Sequence, residues 1–277
     1  MSLFCCPLCA QPLSRGTQSY RCPQGHSFDR AAAGYAHLLP ANRKHAKLPG
    51  DDCEMVAARA AFLAGGYYAP LRDALCALAC EALGGVPAPA VLDAGCGEGY
   101  YTEGVHSALQ SKGSKTRMAG IDLSKFALRF AAKRLPDGEF AVASVYDLPM
   151  QSESVDLVLN VFSPLAEQEF ARVLRPGGTF LYVTPAPRHL WGLKRVLYDT
   201  PYENAAQPAS YASFERLRTV RVAHEITLTS QEEIARLFEM TPYRFRTPHE
   251  GRARLAALDA LTTEIEFDVH VFAAKKQ

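Results

Sequence analysis

The sequence predicts an α/β protein built on a parallel sheet, with a small metal-stapled module ahead of it. Two observations carry the larger part. From Ala88 onward, short apolar strands alternate with helical patterns, and such alternation implies parallel strands joined by right-handed crossovers. The first of these strands runs into a glycine-rich loop, V-L-D-A-G-C-G-E-G from Val91 to Gly99. The third observation lies near the start. Cys6, Cys9, Cys22 and His26 form two short ligand pairs, C-x-x-C and C-x-x-x-H, twelve residues apart. That is the spacing of a zinc site.

In chain order, residues 1–35 read as a zinc-binding ribbon. Pro7 and Pro23 stand beside the ligand pairs, and Ser19-Tyr20-Arg21 can form a short strand. So small a unit lacks a core, and the ion is expected to supply most of its folding energy, about 10–16 kcal/mol. Four protein ligands close the tetrahedron, so the metal is expected to be structural. Cys5 competes with Cys6 as ligand, and the C-x-x-C spacing favours Cys6. Residues 36–50, with Pro40, a basic cluster and Pro49-Gly50, read as a linker or exposed loop. Asp51 or Asp52 then caps a helix through Met55, Ala58, Arg59 and Phe62 that ends near Gly65-Gly66. A second helix over 69–83 carries Leu71, Leu75, Leu78 and Ala79 on one face. The expected division is a ribbon over 1–35, a linker and helical segment over 36–86, and the main domain over 87–277.

The main domain is expected to place strands at Ala90–Ala94, Met118–Asp122, Glu139–Ser144, Val155–Val161 and Thr179–Thr184. Helices are expected at Tyr101–Leu109, Lys125–Arg134 and Leu165–Leu174, with a tight turn at Arg175-Pro176-Gly177-Gly178. Residues 199–215 look irregular. Val220–Thr229 reads as a strand, and Ser230 caps a helix through Met240 with Glu232 and Glu233 in its first turn. Thr263–Ala273 alternates polar and apolar, the mark of a half-buried, antiparallel strand.

Bulk properties narrow the function. The 277 residues are 48% hydrophobic, enough for a large core. No run of eighteen apolar residues exists, so no membrane span is expected, and no secretory leader is visible. Eight cysteines, scattered outside the metal pattern, read as reduced thiols in a cytoplasmic protein. Net charge is only +1, but it is unevenly spread: residues 1–47 carry +5 and the remainder −4. A basic module on a mildly acidic body either faces a polyanion or is a solvated surface.

The glycine loop selects the cofactor. Gly95, Gly97 and Gly99 give G-x-G-x-G after a strand ending at Asp93, not the dinucleotide fingerprint G-x-G-x-x-G. A dinucleotide needs backbone N–H groups aimed at its pyrophosphate. Asp93 and Glu98 would repel phosphates and attract a cation, which points to S-adenosylmethionine and its sulfonium. Asp122, at the end of the second strand, is placed to accept from the ribose hydroxyls; its bland reading is a cap for the next helix. The predicted fold is therefore a class I S-adenosylmethionine-dependent methyltransferase (Rossmann-like) fold with a small N-terminal zinc-binding ribbon.

The quartet Cys6/Cys9/Cys22/His26, then GYAHLLP, PGD, AARAAFLAGGYYAPL, LDAGCGEGYY and TPAPRHL occur in this order. Together they resemble the 23S rRNA (guanine-N1)-methyltransferase family over essentially the whole chain. The resemblance is closer to the Gram-negative-type member, acting at a position-745 type guanine in a hairpin loop, than to the type that methylates its neighbour and gives macrolide resistance. It implies transfer of a methyl group to guanine N1 of a 23S rRNA hairpin, by a homodimer whose ribbons flank an RNA cleft. It also implies cofactor contacts at Tyr68, Gly97, Glu98 and His189. The family's usual acid or amide at the end of the third strand is replaced by Ser144; Asp147 or the backbone near Val145 would then meet the adenine. The residues alone also allow a zinc-ribbon methyltransferase acting on a small molecule.

No catalytic base can be chosen from the sequence. Asn160, Phe162 and Ser163, before Pro164, stand where many nucleic-acid methyltransferases receive their base. Phe162 either stacks on that base or packs in the core. Cys96 reads as packing, because methyl transfer to nitrogen needs no covalent enzyme intermediate. Arg43-Lys44-His45 and the basic ribbon are expected to contact phosphates.

Overall fold

The computed structural model describes residues 1–40, 50–205 and 210–275. Strands β1 (Ser14–Arg15), β2 (Ser19–Arg21) and β3 (Ser27–Asp29) form a small antiparallel sheet. After β4 (Ala36–His37) come helices α1 (Cys53–Ala64) and α2 (Ala69–Ala82). The alternating series follows: β5 (Ala90–Ala94), α3 (Tyr100–Ser111), β6 (Arg117–Asp122), α4 (Lys125–Arg134), β7 (Glu139–Val142), β8 (Val155–Val161), α5 (Glu167–Val173) and β9 (Leu174–Pro185). The chain ends through α6 (Trp191–Leu197), β10 (Phe214–Leu228), α7 (Gln231–Glu239), α8 (His249–Ala256) and β11 (Leu261–Ala274).

The large sheet has the order β10-β11-β9-β8-β5-β6-β7-β4. The chain winds outward from β5 to β7, then returns to the far side of β5 as β8 and β9, all parallel. That reversal opens a crevice at the carboxyl ends of β5 and β8, where ligands bind in such sheets. β11 is antiparallel to both β9 and β10, as its alternating sequence predicts.

Successive residues of a strand face opposite ways, and the two faces have different covers. Val91, Leu157 and Leu159 pack under α2, α3 and α4 through Leu71, Leu75, Val105 and Leu128. Leu92, Ala94, Ile121 and Val158 face α5, through Phe170 and Val173, and the ribbon, through Phe4, Leu13 and Tyr20. The β7–β8 crossover, residues 143–154, contains no helix. The ribbon docks against it instead: Cys5 N donates to Pro149 O at 2.7 Å, and Arg15 reaches further, to the carbonyls of Pro136 and Asp137 in the loop between α4 and β7. The ribbon therefore has a core after all, borrowed from the main sheet. Its fully buried Phe4 and Tyr20 each contribute about 1.5–3 kcal/mol beside the metal.

Several expectations are corrected. The segment after the ribbon does not begin as a linker. Ala36 and His37 pair with Ala141 and Val142 of β7, and Leu38 and Leu39 are buried, because an apolar A-H-L-L run finds the open edge of the sheet. The basic cluster Arg43-Lys44-His45 lies outside the described residues. Arg175–Gly178 is not a turn between elements but a bulge within β9, where the register moves from Val155↔Leu174 to Leu157↔Thr179. The irregular stretch ends at Phe214, six residues before the predicted strand start, because β10 pairs β11 from Phe214↔Ala274 onward. The short helices α6 and α8 have no counterpart in the sequence reading. Among the described residues, no helix is long and apolar enough to cross a membrane.

Candidate metal centre and cofactor pocket

The quartet converges. Ligand atoms of Cys6, Cys9, Cys22 and His26 lie within 4.8 Å of one another. Cys9 and Cys22 sulfurs are 3.7 Å apart, and His26 Nδ1 stands 3.5 Å from Cys6 Sγ and 3.4 Å from Cys22 Sγ. Zinc–sulfur bonds of about 2.3 Å at tetrahedral angles require edges of roughly 3.8 Å, so the cage fits zinc with Nδ1 as the nitrogen donor. Burial raises the Cys22 thiol, but hydrogen bonds from the His26 and Gln24 backbone outweigh it and bring its pKa to about 7, towards the thiolate a metal needs. Cys5 is excluded from the cage; its backbone pairs with the crossover, and burial pushes its thiol up.

The glycine loop follows β5 into the crevice. Gly95, Gly97 and Gly99 all have left-handed φ, 87°, 55° and 84°, which favours glycine. A Cβ on Gly95 would stand 2.2 Å from Ser163 Oγ, whereas one on Gly97 would meet nothing within 4 Å. The β8 turn thus presses on one end of the loop, and the middle of the loop opens on free space.

Three carboxylates surround that space. Asp93 is 1% exposed; its Oδ2 accepts from Thr102 Oγ1 at 2.6 Å, and its Oδ1 has no partner. Burial drives its pKa up to about 7, against the Thr102 hydrogen bond and helped by Asp122 and Glu98. Buried Glu98 is raised by desolvation too, while Arg59 and Arg134 pull it back. Asp122 accepts from Gly97 N at 3.0 Å and Ser124 N at 2.7 Å, and burial raises it as well. It braces the loop; Ser124, not Asp122, caps α4. Each carboxylate oxygen still has a free lone pair for a hydroxyl. An unpartnered buried carboxylate oxygen among acids, beside an open glycine, fits a cationic ligand and opposes a pyrophosphate. The pocket fits S-adenosylmethionine.

The sequence family described as "RlmA, N-terminal" matches residues 4–47, and one described as "Methyltransferase domain" matches residues 91–178. A Streptomyces fradiae protein named 23S rRNA (guanine(748)-N(1))-methyltransferase is 37% identical, over 95% of each chain. A Micromonospora griseorubida protein, provisionally named a 23S rRNA (guanine-N1)-methyltransferase, is 36% identical over 93% of this chain and 92% of its own. A Bacillus subtilis protein with the same provisional name is 31% identical over 97% and 96%. The chain belongs to the 23S rRNA (guanine-N1)-methyltransferase family.

Tyr68 and His189, the methyltransferase contacts implied by resemblance, meet although they are far apart in sequence. Tyr68 Oη and His189 Nε2 are 3.4 Å apart, and both residues are buried. His189 Nδ1 accepts from Glu266 N at 3.3 Å, which places the ring proton on Nε2. Burial, with Lys194 and His224 nearby, lowers its pKa to about 3, so the ring is neutral. Both rings pack on Phe267, at 4.9 and 4.5 Å between centroids, and Phe162 touches the same ring at 5.1 Å.

The three turn residues differ. Asn160 is 0% exposed; its Nδ2 donates to Pro164 O at 3.0 Å and braces the turn, while its Oδ1 is buried without a partner. Ser163 rests on the glycine loop. Phe162 is 46% exposed with a left-handed φ of 57°, strain of about 1–3 kcal/mol that clusters at functional sites. Leu123 and Tyr146 are likewise exposed beyond the carboxyl ends of β6 and β7. The Ser144–Asp147 segment closes as a tight turn, Asp147 N donating to Ser144 O. Phe267 holds Tyr68, His189 and Phe162 together, and the Arg59 charge acts on buried Glu98 and on Asp122; in sequence each reads as an ordinary strand or helix residue, and only the fold brings them to these neighbours.

Proposed function

We propose that the protein transfers a methyl group from S-adenosylmethionine to N1 of a guanine in a hairpin loop of 23S rRNA. The near-full-length likeness to the Streptomyces enzyme carries the reading. The ribbon docked on the methyltransferase sheet and the exposed Phe162 beside the glycine loop support it. The expected target is the position-745 type; the printed name of the Streptomyces relative, guanine 748, supports the neighbouring site as a second reading. We also place the enzyme in the cytoplasm, on its scattered reduced cysteines, and as a homodimer, on the resemblance, with sedimentation as the check on the dimer.

When bound, S-adenosylmethionine supplies an electrophilic methyl group. The chain's task is to hold the acceptor in line and exclude water. Ser163 against Gly95 fixes the β8 turn to the cofactor loop. The strained backbone of Phe162 presents an aromatic face on which an unstacked base can rest, an interaction of about 1–3 kcal/mol. Extruding a base is easier from a loop than from a duplex. Guanine N1 carries a proton, so a base or donors to O6 must assist; carboxylates of the crevice are the available class. Basic ribbon residues would contact phosphates, so binding weakens as salt rises.

The test is mass spectrometry of 23S rRNA from a deletion strain, before and after complementation. Loss of one N1-methylguanosine, mapped to 745 or 748, supports the reading and fixes the position. An unchanged rRNA, or purified enzyme that methylates small molecules without RNA, overturns it.

A further inference from the structure

S-adenosylmethionine carries an α-carboxylate at its amino-acid end, yet the pocket is ringed by carboxylates. Asp93 and Glu98 suit the sulfonium and the ammonium, and Asp122 the ribose hydroxyls; none suits an anion. The amino-acid end therefore needs a cation from elsewhere in the fold, and α1 provides one.

Arg59 is joined to the loop by an unbroken chain of contacts. Its Nη1 pairs with Asp51. Asp51 O accepts from Ser124 Oγ at 2.7 Å. Ser124 N donates to Asp122, and Asp122 accepts from Gly97 N. The approach is close: a Cβ on Gly50 would stand 2.7 Å from Ser124 N. On the next turn of α1, Phe62 packs edge-on against Tyr68 at 5.3 Å, so the same helix also touches the aromatic wall of the pocket.

A guanidinium has five N–H donors. Arg59 gives one to Asp51 and one, at 3.4 Å, to Met240 O, which leaves three. Burial works against its charge, but the field and hydrogen bond of Asp51, with Glu98 and Asp122 behind, raise its pKa. Arg59 is thus anchored, charged and only partly used. A second group nearby lacks a partner. The Tyr101 hydroxyl is buried without a hydrogen bond, and Tyr68, Glu98 and Arg59 are among the groups that act on it. Buried phenols are ordinarily paired; this one is a donor in reserve, buried without a partner.

We propose that Arg59 binds the α-carboxylate of S-adenosylmethionine, with the Tyr101 hydroxyl as a second donor. The inference rests on the cofactor reading above. It makes α1 part of the cofactor site and divides the pocket into two poles: acids for the ammonium and sulfonium, arginine for the carboxylate. Asp51 is then the residue that holds the arginine in place.

Calorimetry with two ligands tests this without turnover. Wild-type protein is titrated with S-adenosylmethionine and with its decarboxylated form. A charge-assisted pair predicts that losing the carboxylate weakens binding about 10–100-fold. In Arg59→Gln the ratio between the two ligands should fall to about one, and Arg59→Lys should restore part of it. In Tyr101→Phe it should fall by less. A wild-type ratio near one overturns the proposal with no variant needed. A ratio in Arg59→Gln equal to that of wild type also overturns it. Failure of S-adenosylmethionine to bind wild type at all would instead sink the cofactor reading itself.

Discussion

In the ribbon, three cysteine sulfurs and an imidazole face one another within 4.8 Å. In the crevice, three carboxylates surround an open glycine. Both are sites for a positive guest, but they tolerate its absence differently. The cage gathers soft ligands whose thiolates need the metal, on a module whose remaining support is the apolar seam with the main sheet. The carboxylates sit at the ends of well-buried strands and in the loop between β5 and α3, and burial raises the pKa of all three. One site is completed by its guest; the other is built by the scaffold and only discharged by its guest.

The largest effect expected from that contrast is loss of metal. Chelation should unfold the ribbon, since structural zinc contributes on the order of 10 kcal/mol in such modules. Hydrogen exchange should rise by orders of magnitude at β1, β2 and β3, while β5, β6 and β8 stay protected. Unchanged exchange in the ribbon would show that the seam formed by Phe4, Leu13 and Tyr20 suffices alone.

Asp93 comes next. Its folded pKa, about 7, lies well above the usual 3.8. The folded state then binds more protons than the unfolded one, so stability is greatest below about pH 4 for this group and declines as pH rises towards 7. Roughly three units correspond to about 4 kcal/mol. Asp93→Asn should raise the melting temperature of the ligand-free protein at pH 8 and leave it nearly unchanged at pH 4. A cation in the pocket should pull the proton off. Binding of S-adenosylmethionine should therefore release protons near pH 6.5 and tighten between pH 5 and 8, seen by calorimetry in buffers of different ionisation enthalpy. Proton uptake on binding would reverse the assignment.

Much of this was legible beforehand, and the reason is locality. The cage is written in two short spacings, and the loop in nine consecutive residues, so both could be read directly. Tyr68, His189 and Phe267 meet only after the loops before α2 and after β9 have packed on β11, and no spacing encodes that meeting. The misread junction at residues 36–39 has a similar origin: two short strand residues signal nothing until β7 leaves an edge unpaired.

The loop itself allows a finer test. Gly95→Ala combines a left-handed φ, about 1–2 kcal/mol for an L-residue, with a collision against Ser163. It should destabilise the ligand-free protein by roughly 2–4 kcal/mol, the added part being steric. Gly97→Ala carries the φ strain without the collision, so its loss should stay near 1 kcal/mol. If both variants lose cofactor affinity but only Gly95→Ala loses comparable stability, the space above Gly97 belongs to the ligand. Equal destabilisation of both would mean that the loop is shaped by the fold alone.

The smallest effect concerns whether the two regions communicate. Glu139 opens β7 at the amino edge of the sheet, opposite the crevice, and accepts from Leu3 N at 3.0 Å and from Ser2 Oγ. It is 8% exposed, so its removal leaves the Leu3 N–H short of a partner in a dry seam. Glu139→Ala should cost about 1–3 kcal/mol and raise exchange at residues 2–5. Glu139→Gln keeps the acceptor and should cost less. Neither should change the affinity for S-adenosylhomocysteine, because the seam and the crevice lie at opposite strand ends and sheets of this packing density deform little. A tenfold change in that affinity would mean that the ribbon is more than an appendage to a finished pocket. It would make ribbon docking a condition for cofactor binding.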